Sequence, residues 1–323
     1  MSETSFLIIG GGGIGERHLR CVQKAGVARV GLVEPRAERR AELQSRYGVK
    51  DAWAEPGQVD FSKFTHAVVA TPPSQHFEHT KLLASRGIHV LCEKPLCAGN
   101  EEAVEFVKME KSMKGMIRIA YTYRSIELFR MAKAKLDQGA IGSVKALHVC
   151  VGQHFPTFRP DYMKIYWADP KQGGCSLDAT SHLVDAAVWN MGALEWVGGF
   201  ASNLGLKEAP VEDTTSLILK GTKGEHVSIM MNQFQAPNES LFLWVGDHGS
   251  MKAETALGRL SIYRRGDSEW KSETITSERD DGYVRQVKLF VEEVEGKKHE
   301  LCTVSEAAKV LEICLRLRST FQR

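Results

Sequence analysis

The feature that most constrains this chain is a glycine turn set between a strand and a helix. Residues 6–9 are uniformly apolar, Gly10, Gly12 and Gly15 follow in Gly-x-Gly-x-x-Gly spacing, and a helical repeat of Leu19, Val22 and Ala25 comes next. Each glycine has a task in such a unit. Gly10 permits the tight turn, Gly12 lets the backbone approach a pyrophosphate, and Gly15 lets helix and strand pack closely. The helix start offers free N–H groups and the positive end of its dipole to phosphates. Alone the spacing is a weak signal, because glycine-rich turns are common. Context strengthens it: a second strand at 29–33 ends at Glu34, about twenty residues on, where a carboxylate can accept both ribose hydroxyls.

Further strands at 66–70, 88–92 and 116–120 alternate with helices at 14–25, 36–47, 74–86 and 100–113. That alternation predicts a doubly wound parallel sheet, with ligands at the carboxyl ends of its strands. Those ends carry Gly10–Gly15, Glu34, Thr71–Pro73, the 93–95 segment and the 121–124 segment. From about residue 144 the pattern changes. Strands at 144–152, 196–203, 214–220, 226–232, 240–245 and 259–263 mostly follow one another without helices between them, as in an antiparallel sheet. Helices at 126–138 and 177–191 interrupt them, and a helical pair at 283–295 and 305–321 closes the chain. With 323 residues, two domains are expected. We assign 1–121 to an α/β dinucleotide-binding domain and 122–323 to an α+β domain with a large, open, mostly antiparallel sheet. The last helix is free to pack back on the first domain.

Composition removes several classes of function. A net charge of +2 without a basic stripe argues against nucleic-acid binding. No apolar run reaches bilayer length, and the first residues lack a signal-peptide pattern. Seven cysteines without framework spacing read as reduced thiols in the cytoplasm, and no zinc-type spacing supports a metal.

Two groups of residues are equipped for chemistry. Lys94 ends a parallel strand on the same sheet edge as the glycine turn, where its ammonium can meet a substrate oxygen; the plainer reading is a solvated lysine paired with Glu93. Asp178, His182 and Asp185 fall on one stripe if a helix starts near Ser176, and Gly173 and Gly174 before it allow close backbone approach. A carboxylate one turn from a histidine can orient it for acid–base work, although surface pairing is the plainer alternative. Weaker candidates are His76 and His79, the Tyr121, Tyr123 and Arg124 group, and the aromatic stretch with Tyr162, Tyr166 and Trp167.

In this order the motifs resemble the glucose-fructose oxidoreductase/inositol dehydrogenase family. They are Gly10–Gly15, Ala70-Thr-Pro-Pro, His76, Cys92-Glu-Lys-Pro-Leu96, Trp167-Ala-Asp-Pro, and Gly173-Gly followed by Asp178, His182 and Asp185. The resemblance covers essentially the whole chain. It implies a Rossmann domain, an open-sheet second domain that forms a homodimer or homotetramer, and NAD(H)- or NADP(H)-dependent oxidation of a sugar or cyclitol hydroxyl, or the reverse. It puts the catalytic lysine at Lys94 and the aspartate–histidine pair at Asp178 and His182. Cofactor contacts are expected from Gly10, Gly12, Gly13, Ile14 and Gly15, from Glu34, Thr71, Pro72 and His76, and from Glu93 and Lys94. Substrate contacts are expected from Lys94, Asp178 and His182, with Tyr123, Arg124, Tyr166 and Trp167. Two positions depart from the family pattern: Cys175 replaces a third glycine, and Thr180 stands where a glycine usually separates aspartate from histidine. Both bear on the shape of the pocket. Glu34 favours NAD, because it would repel a 2′-phosphate; Arg36, Arg39 and Arg40 leave NADP open. The same fold also admits a redox-neutral glycoside-cleaving reaction or a non-catalytic dinucleotide-binding regulator.

Overall fold

Every residue of β1 (Ser5–Ile9) is buried, and parallel strands flank it on both sides. In the computed structural model, which describes residues 4–322, β1 lies inside a six-stranded sheet. The chain continues through α1 (Gly13–Lys24), β2 (Arg29–Val33), α2 (Ala37–Tyr47), β3 (Asp51–Trp53), β4 (His66–Val69), α3 (His76–Ala84), β5 (His89–Cys92), α4 (Asn100–Glu110) and β6 (Ile117–Ile119). The sheet order is β3-β2-β1-β4-β5-β6, and all its pairs are parallel. Strand order reverses between β1 and β4, so their carboxyl ends frame the crevice in which such sheets take ligands. β3 is short and half-buried, which is why no periodicity announces it.

Residues 126–278 build a second unit around an eight-stranded sheet. Here α5 (Glu127–Asp137) leads to β7 (Val144–His154), the single turn α6 (Phe155–Phe158), and α7 (Ala179–Met191). The remaining strands are β8 (Leu194–Ser202), β9 (Thr214–Gly221), β10 (His226–Asn232), β11 (Phe234–Gly246), β12 (Gly249–Glu254), β13 (Arg259–Arg264) and β14 (Lys271–Thr274). Their order is β14-β13-β12-β11-β7-β10-β9-β8, antiparallel throughout except for β7 against β10. Alternation sets the two faces: Leu217, Leu219, Val227, Ile229 and Met231 are buried on one, where α5 and α7 pack. The other face exposes Cys150, Phe200 and Met230. No helix among the described residues is long and apolar enough to cross a membrane.

After β14 the chain rejoins the first unit, which comprises residues up to 125 together with 279–308. There α8 (Asp281–Val294) adds Val287, Leu289 and Phe290 to a core with Phe6, Ile8, Leu19 and Val22. Asp280, at the head of α8, receives Arg20 at 2.7 and 2.9 Å and Lys24 at 3.3 Å, both from α1. The final helix, α9 (Val304–Arg318), starts in the first unit and ends in the second. A single break at 121/122 therefore differs from the observed division. The apolar stripe of α8 finds its cover on α1, and tertiary packing alone makes that choice.

Candidate active site

The glycine turn does in three dimensions what its spacing suggests. Gly10 has φ 98°, and a Cβ there would lie 2.7 Å from the Ala70 carbonyl oxygen. A Cβ at Gly15 would run into the Gly10 carbonyl. At Gly12 a Cβ would meet nothing within 4 Å. The first and third glycines thus serve the protein's own backbone, and the middle one borders open space at the head of α1. No side chain caps that helix at Gly12, and Gly13 beside it is exposed. This is the cradle that a dinucleotide pyrophosphate fits.

Glu34, at the end of β2, is 2% exposed. It accepts the Gly11 N–H at 2.8 Å, and Arg36 reaches it through its backbone N–H at 3.0 Å and its Nε at 2.8 Å. Burial acts to raise the Glu34 pKa, but the Arg36 and Gly11 hydrogen bonds outweigh it and hold the carboxyl below the usual range. Arg39 and Arg40 are bound to the carbonyls of Gly11 and Glu34.

Thr71 and Pro72 lie in the turn after β4, and His76 opens α3. His76 is fully buried, and its two ring nitrogens stand 2.9 Å from the carbonyls of Thr71 and Pro95. Burial holds its pKa below the ordinary histidine value against those carbonyls, which favour charge. A neutral ring donates to one of them at a time. The ring staples the turn after β4 to the turn after β5.

Glu93 and Lys94 follow β5. Glu93 is 5% exposed and is not the solvated partner of a surface lysine: its Oε1 lies 2.7 Å from His18 Nε2, and its Oε2 accepts the Lys94 N–H at 3.0 Å. Lys94 is half-buried. Tyr123 is half-buried too, and burial first and nearby Tyr283 second push its phenol up to about 12. Arg124 is buried beside it. Its guanidinium, 1% exposed, reaches Glu306 and the Glu300 carbonyl, both at 3.2 Å, and so ties parts of its own unit together.

In the second unit, Asp178 is the N-cap of α7, whose first residue is Ala179, not Ser176. Asp178 and His182 are half-buried one turn apart, while Asp185 is fully buried. Tyr166, twelve residues earlier, donates its hydroxyl to Asp178 Oδ1 at 2.9 Å. Trp167 cannot join it. Its ring is fully buried against Phe155 and Tyr162, and its Nε1 donates to Gln233 at 3.0 Å, so the expected substrate contact is corrected to a core anchor. The two departures from the family pattern touch each other: Cys175 Sγ and Thr180 Oγ1 are 3.6 Å apart, and Thr180 also meets Thr215 at 2.8 Å. Both are fully buried, so they fill the interior behind the helix start. Beneath the same loop, buried Glu212 accepts the Ser176 N–H at 3.0 Å, and burial raises its pKa against that hydrogen bond. His18, Tyr283 and Glu212 bear on these two loops without any sequence signal, because their partners are distant in the chain.

Two family profiles match the chain. Residues 4–121 match the oxidoreductase family with an NAD-binding Rossmann fold, and residues 129–252 match the GFO/IDH/MocA C-terminal domain. Levoglucosan dehydrogenase of Pseudarthrobacter phenanthrenivorans is 25% identical over 234 residues, covering 66% of this chain and 57% of that one. The chain thus spans little more than half the length of that relative. D-xylose 1-dehydrogenase (NADP(+)) 2 of Haloferax volcanii is 25% identical over 300 residues, covering 90% and 89% of the two chains. The solved structure of a levoglucosan dehydrogenase in complex with NADH and levoglucosan superposes with a TM-score of 0.88 at 18% identity, covering 98% and 96%. With both halves matched in order, and with the sheet topologies that this likeness in fold describes, the chain belongs to the GFO/IDH/MocA family of oxidoreductases.

Proposed function

We propose that this protein is an NAD(P)-dependent dehydrogenase or reductase. It moves a hydride between a nicotinamide and a ring hydroxyl or ketone of a sugar, sugar derivative or cyclitol. The observation that carries the reading is the open cradle at Gly12, with Lys94 after β5 in the same unit; Asp178 and His182 at the head of α7 are the acid–base residues we assign from the second unit. A protein that only sensed a dinucleotide would need the cradle and not the set.

Bound cofactor supplies the hydride acceptor or donor. The chain's own residues supply the rest. Lys94 hydrogen-bonds the reacting oxygen and His182 takes its proton, while Asp178, itself held by Tyr166, orients His182 or a neighbouring hydroxyl. Glu34 favours NAD: hydrogen bonds hold its pKa below the usual carboxylate range, and an ionised carboxylate accepts ribose hydroxyls and repels a 2′-phosphate. Seven free cysteines fit a reducing compartment such as the cytoplasm. Apolar side chains on the outer sheet face, Val197, Phe200 and Met230 at 59%, 56% and 57% exposed, fit a homo-oligomer joined there.

The test is NADH or NADPH formation across a panel of sugars, cyclitols and sugar nucleotides. Lys94→Met should lower kcat by roughly a hundredfold or more, the scale of acid–base and charge stabilisation by one group. Its Kd for NADH should stay within about threefold, a spread smaller than one charged hydrogen bond. Undiminished turnover would remove Lys94 from the reaction. Silence of the wild-type protein across the panel, with NADH still bound, would turn attention to redox-neutral glycoside cleavage.

A further inference from the structure

The first unit buries a histidine–carboxylate pair that reaches the backbone of Lys94. His18 lies on α1 three residues after Gly15 and is 0% exposed. Its Nε2 is 2.7 Å from Glu93 Oε1, and the second oxygen of that carboxylate accepts the Lys94 N–H at 3.0 Å. Tyr283 of α8 meets the His18 ring edge-on, with 5.4 Å between centroids, and the Arg17 guanidinium lies 5.0 Å from the centre of the same phenol. Glu93 also acts electrostatically on His76 of α3 and on the neighbouring Cys92 thiol. Helix α1 and the loop of the proposed catalytic lysine are thereby joined through a single carboxylate.

A carboxylate 5% exposed keeps its charge only when donors replace the water it has lost. His18 is such a donor, held in place by the packing of α8. We propose that His18 is a positioning residue: it keeps Glu93 ionised, and Glu93 keeps Lys94 an ammonium that donates a hydrogen bond to the reacting oxygen. Tyr283 carries the imprint of the same charges. After burial, Glu93 raises its phenol pKa, while Arg17 and Lys94 oppose. The inference rests on the reading of Lys94 given above, and it separates two roles that the residue types alone leave interchangeable. A lysine held as ammonium stabilises an alkoxide, and the proton is then left for His182 to carry.

The experiment is competitive acetylation of the intact protein with acetic anhydride from neutral to alkaline pH, with the Lys94 peptide quantified by mass spectrometry. Only the free amine reacts, so the profile reports its titration without any substrate. Glu93→Gln, close in shape but uncharged, should raise Lys94 labelling near neutral pH about tenfold, equivalent to roughly one pH unit in midpoint. His18→Leu should do the same, and should add nothing in the Glu93→Gln background. His18→Gln, which can still donate to Glu93, should stay near the wild-type profile. An unshifted profile in Glu93→Gln, or a shift there that His18→Leu fails to reproduce, overturns the proposal. Labelling and turnover fail separately: an active enzyme with unshifted profiles faults His18, and an inactive one with shifted profiles faults the proposed reaction.

Discussion

One hydroxyl holds the carboxylate of the proposed acid–base pair. Tyr166 donates to Asp178 at 2.9 Å, and Asp178 occupies the N-cap position of the helix that carries His182. A hydrogen bond to a charged group contributes roughly 1.5–3 kcal/mol. Tyr166→Phe should therefore lower kcat by about tenfold to a hundredfold, leaving NADH affinity unchanged in a fluorescence titration. An equal loss in both would mean that the hydroxyl serves the fold as a whole. Residue types nominate Lys94, Asp178 and His182, because a lysine at a parallel strand end and an aspartate one turn from a histidine are spacings with chemical meaning. They also promised too much. Arg124, Trp167 and His76 sit at equally suggestive positions, yet the first is tied to Glu306, the second to Gln233 and the third to two backbone carbonyls. Burial and tertiary partners mark out these three, and spacing does not carry either. The paired departures are similar: Cys175 and Thr180 look like two changes to the pocket and turn out to be one buried contact.

At the scale of elements, the β1–turn–α1 unit has almost no tolerance at its ends and open space in its middle. Gly15→Ala would push a methyl into the Gly10 carbonyl, which is backbone and cannot swing aside. The expected result is a stability loss of about 1–3 kcal/mol, the range for overpacking, together with weaker NADH binding. A denaturant titration with and without NADH measures both, and an unchanged midpoint would show that the turn relaxes freely. The order of elements was legible because strand and helix periods differ and glycines punctuate them. Their edges were less so. β11 begins at Phe234, several residues ahead of the expected strand, and β12 and β14 lacked a pattern strong enough to register. β14 lies at the sheet edge and is exposed throughout, so it leaves no alternation, and β12 is an interior strand of only six residues.

For the molecule as a whole, the base of the parallel sheet holds an acid-sensitive point. His66 is stacked on Phe6 and edge-on to Phe290, with ring centroids 5.0 and 5.6 Å away, and its Nε2 has no hydrogen-bond partner among the described residues. Burial first, and the neighbouring His89 second, lower its pKa from 6.5 to about 4. Above about pH 6.5 the ring is neutral in both folded and unfolded chains and costs nothing. As pH falls from 6.5 toward 4 the unfolded chain binds the proton first, so stability drops through that window, by about 3 kcal/mol once complete. His66→Phe should flatten this part of the stability–pH curve, read from urea midpoints at pH 7.5 and 5; a wild-type curve already flat there would contradict it. Taken alone, the sequence determined the two fold classes and the glycine turn, and it nominated the residue types of the proposed acid–base set, because each depends on local period, glycine geometry or short spacing. Only the tertiary structure decided that α8 returns to the first unit, that His18 meets Glu93, that Tyr166 holds Asp178, and that Cys175 fills space against Thr180. Each of those outcomes depends on how side chains share buried volume and burial-starved hydrogen bonds, and those are properties of the packed chain that no stretch of residues carries by itself.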